Sequence, residues 1–134
     1  MRRLRGSLVG LCALGALALS ACGNGVPAAS GAGGGGGGSA DGTAGVNLGP
    51  PDVKVLGTDQ LQFSPVSQTA SVGQIVQWSN PGTVAHTITF DTEPSLSDSQ
   101  ITPGGTWEVK FKKAGTYTYK CTIHPGMNGT LTIH

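Results

Sequence analysis

Apolar residues recur at every second position from about Pro51 onward, and this alternation most constrains what the chain can fold into. Val53 and Val55 alternate, as do Val76 and Trp78. His86, Ile88 and Phe90 share one face, with Thr87 and Thr89 on the other. Trp107, Val109 and Phe111 repeat the pattern, followed by Tyr117, Tyr119 and Cys121, and finally by Leu131 and Ile133. A repeat of two is the signature of a strand with one face on a core. Turn residues punctuate the pattern at Asn80-Pro81-Gly82, Pro103-Gly104-Gly105, Ala114-Gly115 and Asn128-Gly129. Seven to eight short strands with no helical period predict an all-β sandwich over residues 51–134. Asp91 to Gln100 is the longest polar break, and it reads as a loop or a single helical turn.

The chain before this domain has a different character. Arg2, Arg3 and Arg5 precede an apolar run from Leu8 to Leu19 that is short for a bilayer span, so residues 1–21 read as an export signal. The run ends in Leu19-Ser20-Ala21-Cys22, which resembles a bacterial lipobox, where the cysteine is acylated and becomes the first residue. The expectation is a lipoprotein, held by the lipid (palmitate or a similar acyl chain) on Cys22 at the outer face of the cytoplasmic membrane. The alternative is an ordinary signal peptide that happens to contain a cysteine. Residues 22–50 then form a lipidated cysteine and a linker; twelve of the 28 residues from Gly23 to Pro50 are glycine, too little apolar surface to fold. A coil of that length spans roughly 30 Å. It serves either as a tether that lets the domain reach membrane-bound partners or as a plain spacer.

Without residues 1–21 the chain carries five basic residues against seven acidic, net −2 with neutral histidines. No basic patch points to nucleic acid, and membrane contact falls to the lipid. Lys110, Lys112 and Lys113 read as a solvated edge, Asp91, Glu93 and Asp98 as a solvated loop, with a docking patch as the alternative, and His134 as an exposed end. Cys12 leaves with the signal and Cys22 is taken by acylation, so Cys121 stands alone in an exported domain where thiols normally pair. It is either a buried small hydrophobe or a thiolate held by a metal.

Its neighbours favour the metal. Cys121, His124 and Met127 lie in one short loop, and His86, in phase with Ile88 and Phe90, faces the core at the start of its strand. A thiolate, two imidazoles and a thioether are the donor set of a blue-copper site: a trigonal His₂Cys plane with a weak axial Met. Zinc prefers tetrahedral Cys and His ligands and gains little from Met. Singly, each residue has a plainer role: His86 a core histidine, His124 a surface residue, Met127 a gap-filler.

Residues 52–134 resemble a small cupredoxin of the plastocyanin and amicyanin type. The resemblance rests on Trp78-Ser79-Asn80, on His86-Thr87-Ile88-Thr89-Phe90-Asp91, on Gly115-Thr116-Tyr117-Thr118-Tyr119, and on the Cys-x₂-His-x₂-Met loop followed by Gly129 and Leu131. It implies a Greek-key β-sandwich with one copper ion on His86, Cys121, His124 and Met127, bound through Nδ1 of both histidines. The short gap between His124 and Met127 resembles the amicyanin loop more than the plastocyanin one. Relatives often carry Asn after the first histidine, tying the two ligand loops together; here Thr87 stands in that place, and its hydroxyl is the candidate for the bond.

The resemblance implies a one-electron carrier, monomeric, serving redox partner proteins, with the electron leaving through the edge of His124. It is not expected to be an enzyme. Copper oxidases and nitrite reductases need further copper ions and histidines flanking the cysteine, whereas Lys120 and Thr122 flank Cys121 and the chain has three His in all. The alternative is an envelope copper carrier or store without an electron-transfer role, for which clustered Met and His would be expected. A metal-free binding module is the third possibility, and the complete ligand set argues against it.

Overall fold

The computed structural model of the protein describes residues 41–134. The expected export signal, Cys22 and most of the expected linker lie outside the described residues. Ten strands follow in chain order: β1 (Gly42–Gly45), β2 (Val53–Thr58), β3 (Gln62–Ser64), β4 (Ser67–Ala70), β5 (Ile75–Ser79), β6 (His86–Phe90), β7 (Asp98–Ile101), β8 (Thr106–Phe111), β9 (Gly115–Lys120) and β10 (Asn128–Ile133). Among the described residues the only helix is a 3₁₀ turn at Pro94–Leu96, inside the polar break.

The strands form two sheets, in the orders β1-β8-β5-β2-β3 and β4-β10-β9-β6-β7. Two pairings, β2 with β5 and β4 with β10, are parallel, and the rest are antiparallel. The strands that alternation picks out are β2, β5, β6, β8, β9 and β10, which are the three inner strands of each sheet. The four not picked out are the four edges. An inner strand must face the core along its length, whereas an edge strand can be short and polar and hold by its backbone on one side.

Between the sheets, alternate residues meet as the period predicts. Val55, Val76, Trp78, Val109 and Phe111 from one sheet are buried against Ile88, Phe90, Tyr117, Tyr119, Leu131 and Ile133 from the other. Aromatic rings dominate the contact: Tyr119 meets Phe63 at 4.8 Å and Trp78 at 5.3 Å between centroids, and Trp78 meets Phe90 at 5.6 Å, all edge to face. Such pairs add about 0.5–1.5 kcal/mol each beyond the area they bury.

Three expectations are corrected. The linker read over residues 23–50 ends earlier, because β1 lies within it and pairs with β8, placing Ala44 opposite Val109 and burying it. An edge strand of Gly and Ala contributes backbone bonds and needs little apolar surface. Here its smallness suits a tight site, since a Cβ on Gly42 would stand 3.0 Å from the Lys110 carbonyl and 3.2 Å from Leu96 Cδ2. The following residues also belong to the fold: the Leu48 N–H donates to the Glu108 carboxylate at 2.7 Å. Second, Asn128-Gly129 is not a turn but the start of β10; Gly129 lies opposite Tyr119, whose ring fills the place of a side chain. The reversal is made by Pro125-Gly126, with Gly126 at φ +84°, a conformation that favours glycine. Third, the polar break read over Asp91 to Gln100 as a loop or a single helical turn also holds most of an edge strand, β7.

Candidate metal centre

His86 opens β6 and Cys121 directly follows β9, two neighbouring antiparallel strands of one sheet, so both side chains arrive at the same end of the sandwich. The chain then loops through His124 and Met127 into β10. That loop is closed on itself: the Cys121 N–H donates to the Met127 carbonyl at 2.9 Å, and the Met127 N–H to the His124 carbonyl at 3.2 Å. Seven residues thus form a small ring of fixed shape, with Pro125 restricting φ beside His124.

The donor atoms of His86, Cys121 and His124 all lie within 4.8 Å of one another. His124 Nδ1 is 3.4 Å from Cys121 Sγ, and the two imidazole rings stand 5.1 Å apart between centroids. His86, Cys121 and Met127 are buried and His124 half-buried, while Ile123, Pro125 and Gly126 around it are exposed. Met127 thus sits at the inner end of the loop that carries Cys121 and His124.

The ring of His86 is not placed by hydrogen bonds. Both its nitrogens are buried without a partner. Burial, and then the neighbouring His124, hold its pKa below the usual histidine value, opposed by the negative charge of Asp59 and, after it, by the Thr58 backbone. A neutral imidazole with orphaned nitrogens is costly in a β core, and a cation is what relieves it. No carboxylate joins the cluster, which disfavours the hard cations that prefer oxygen. One sulfur and two imidazoles suit copper.

Two bonds from Thr87 join the ligand strands. Thr87 is buried, and its backbone N–H donates to Cys121 Sγ at 3.3 Å. Its hydroxyl oxygen accepts the Thr122 N–H at 2.7 Å and lies 3.1 Å from the Thr122 hydroxyl. This is the physical reason for its burial: the hydroxyl satisfies a backbone donor beside the cysteine.

With this geometry the comparisons with known proteins agree. Residues 52–134 match the family described as copper binding proteins, plastocyanin/azurin family. The chain belongs to that family. It is 38% identical over 97 residues to the plastocyanin of Scenedesmus fuscus, covering 61% of this chain and 99% of that one. It is 27% identical over 88 residues to the amicyanin of Paracoccus versutus, covering 63% of this chain and 67% of that one. Among solved structures, a purple cupredoxin from Nitrosopumilus maritimus superposes with TM-score 0.55 at 24% identity, covering 62% of this chain and all 100% of the other.

Around this cupredoxin centre stand residues to which sequence reasoning gave no role at the site. Asn80 is buried; its side-chain amide donates to the Val84 carbonyl at 2.7 Å and the Ile101 carbonyl at 3.0 Å, and its oxygen accepts the Gly82 N–H at 3.0 Å. It holds the loop that delivers His86. The Asp59 carboxylate accepts the N–H groups of Thr83 and Val84 from the same loop, at 2.8 and 3.2 Å. Gly57 lies directly against the His86 ring. An isolated glycine inside a strand pattern signals a close approach, so Gly57 carried a readable hint; the roles of Asn80 and Asp59 depend on the tertiary fold.

Proposed function

We propose that this protein is a one-electron carrier of the cell envelope, exported, lipidated at Cys22, and that His86, Cys121 and His124 would hold one copper ion, with Met127 as a further, weak ligand. The observation that carries this reading is the convergence of one thiol and two imidazoles within 4.8 Å, with the nitrogens of buried His86 unpartnered. When bound, copper supplies a one-electron Cu(I)/Cu(II) couple that a mixed sulfur and nitrogen donor set accommodates in both states.

The chain's own residues supply the rest. Cys121 must lose its proton to ligate, and the Thr87 N–H at 3.3 Å stabilises the negative sulfur. The closed loop from Cys121 to Met127 and the Thr87–Thr122 bond keep the donors in place, so little needs to move as the charge on the site changes. Half-buried His124, set among exposed Ile123, Pro125 and Gly126, offers an edge where a partner's redox centre can approach while the buried donors exclude water. The lipid on Cys22 keeps the carrier at the membrane where such partners are found.

The test is the visible spectrum of the copper-loaded protein with copper quantified. An intense blue band from thiolate-to-copper charge transfer is expected, and Cys121→Ser abolishes it. His86→Gly and His124→Gly open the site to added imidazole. A colourless complex with one copper overturns the blue-copper reading, and rapid surrender of the ion to a mild chelator favours the copper-carrier alternative.

A further inference from the structure

The end of β2 holds a glycine that its own backbone does not require. Gly57 points into the protein, between exposed Leu56 and half-buried Thr58, and its φ lies outside the left-handed region that demands glycine. A glycine in a strand interior gives up side-chain packing and is kept where something comes close. What comes close is an imidazole. A Cβ on Gly57 would stand 2.8 Å from His86 Cδ2, 3.2 Å from Cγ and 3.5 Å from Nε2. The first distance is one that real Cβ atoms essentially never show.

We propose that Gly57 is a positioning residue for His86: the space left by its missing side chain seats the Cδ2–Nε2 edge of the imidazole, leaving Nδ1 on the opposite edge to face the other donors. The seat spans the sandwich, because Gly57 belongs to one sheet and His86 to the other. Two residues further along, Asp59 accepts the N–H groups of Thr83 and Val84. One strand end therefore fixes both the loop that carries His86 and the depth of its ring. With neither ring nitrogen hydrogen-bonded, shape does the work that a hydrogen bond to the ring would do elsewhere. A methyl at position 57 pushes the ring away and rotates the imidazole within the cluster. The proposal rests on the metal reading for its consequence, although not for its geometry.

The test begins without metal. Gly57→Ala in the metal-free protein is expected to lower Tm by about 5–10 °C, the usual cost of one methyl too many in a packed site of a domain this size. In a His86→Ala background, where the ring is gone and the new methyl has room, the same change shifts Tm by no more than about 2 °C. If Gly57→Ala alone prevents folding, the seat predicts that adding His86→Ala restores it. In the copper-loaded protein, Gly57→Ala moves the charge-transfer band, while Leu56→Ala, on the exposed face of the same strand, leaves it in place. An equal loss of Tm in both backgrounds, or a band that Gly57→Ala leaves where it was, overturns the proposal. Because the cycle is measured without metal, a failure to bind copper bears on the metal reading and not on the seat.

Discussion

Thr87 separates what the strand pattern can say about a residue from what it cannot. Alternation puts its side chain on the face opposite His86, and a threonine there would ordinarily be solvated. Its hydroxyl is instead buried and accepts the Thr122 N–H, while its own N–H reaches Cys121 Sγ. Thr87→Val keeps the shape and the backbone donor but strands the Thr122 N–H. The expected cost is about 1–2 kcal/mol. In a domain of this size that is a fall in Tm of several degrees, about 4–8 °C per kcal/mol, measured on the metal-free protein. The blue band should persist, since the bond to sulfur comes from the backbone. Loss of the band in a folded Thr87→Val protein would show that the hydroxyl does more than tie the strands. The donors themselves were legible because their chemistry is carried by residue type and spacing. The Thr87 hydroxyl was legible only through the family resemblance, and the roles of Asn80 and Asp59 were not legible, because each is defined by what another part of the chain lays against it.

At the scale of elements, the inner strands were legible and the edges were not. β1 shows why: Gly42 to Gly45 has the composition of a linker, and only the partner strand β8 makes it part of a sheet. Beginning the chain at Val46 removes this ladder together with the Lys112 N–H to Asp41 carbonyl bond of 2.7 Å. Such a protein is expected to melt lower, and the amides of β8 that faced β1 should exchange faster; unchanged exchange there would make β1 dispensable. The loop before β6 offers a second test. Backbone N–H groups of Thr83 and Val84 hold the Asp59 carboxyl below its ordinary value of 3.8. A depressed carboxylate stabilises the fold above its unfolded pKa and loses that contribution as pH falls through the lower folded value. Asp59→Asn, which resembles the protonated state, should therefore melt below the native protein at pH 7, and the two curves should converge as pH falls through the lowered folded value. A gap that persists at acid pH would mean that Asp59 acts through shape and not charge.

For the molecule as a whole, the fold redefines the tether. Because residues 41–50 belong to the folded unit, the segment between Cys22 and the domain shrinks to residues 23–40. That is 18 residues, against the 28 of the linker expected from sequence. On the proposed lipid anchor at Cys22, that shorter segment would hold the domain close to the membrane and suit transfer to partners in the same membrane. All of this depends on acylation of Cys22, since residues 22–134, with five basic side chains against seven acidic, have no excess positive charge to hold them to an anionic surface. Two acyl chains give the stable attachment that a single one does not. In cells fed a labelled fatty acid, the native protein should take up label and sediment with membranes. Cys22→Ala should lose the label and either accumulate as unprocessed precursor or appear in the soluble fraction after cleavage elsewhere. The copper-loaded spectrum of that soluble form should match the native one, because the donors lie more than sixty residues from the anchor. Equal labelling of the native and Cys22→Ala proteins would place the lipid elsewhere or remove it from the account.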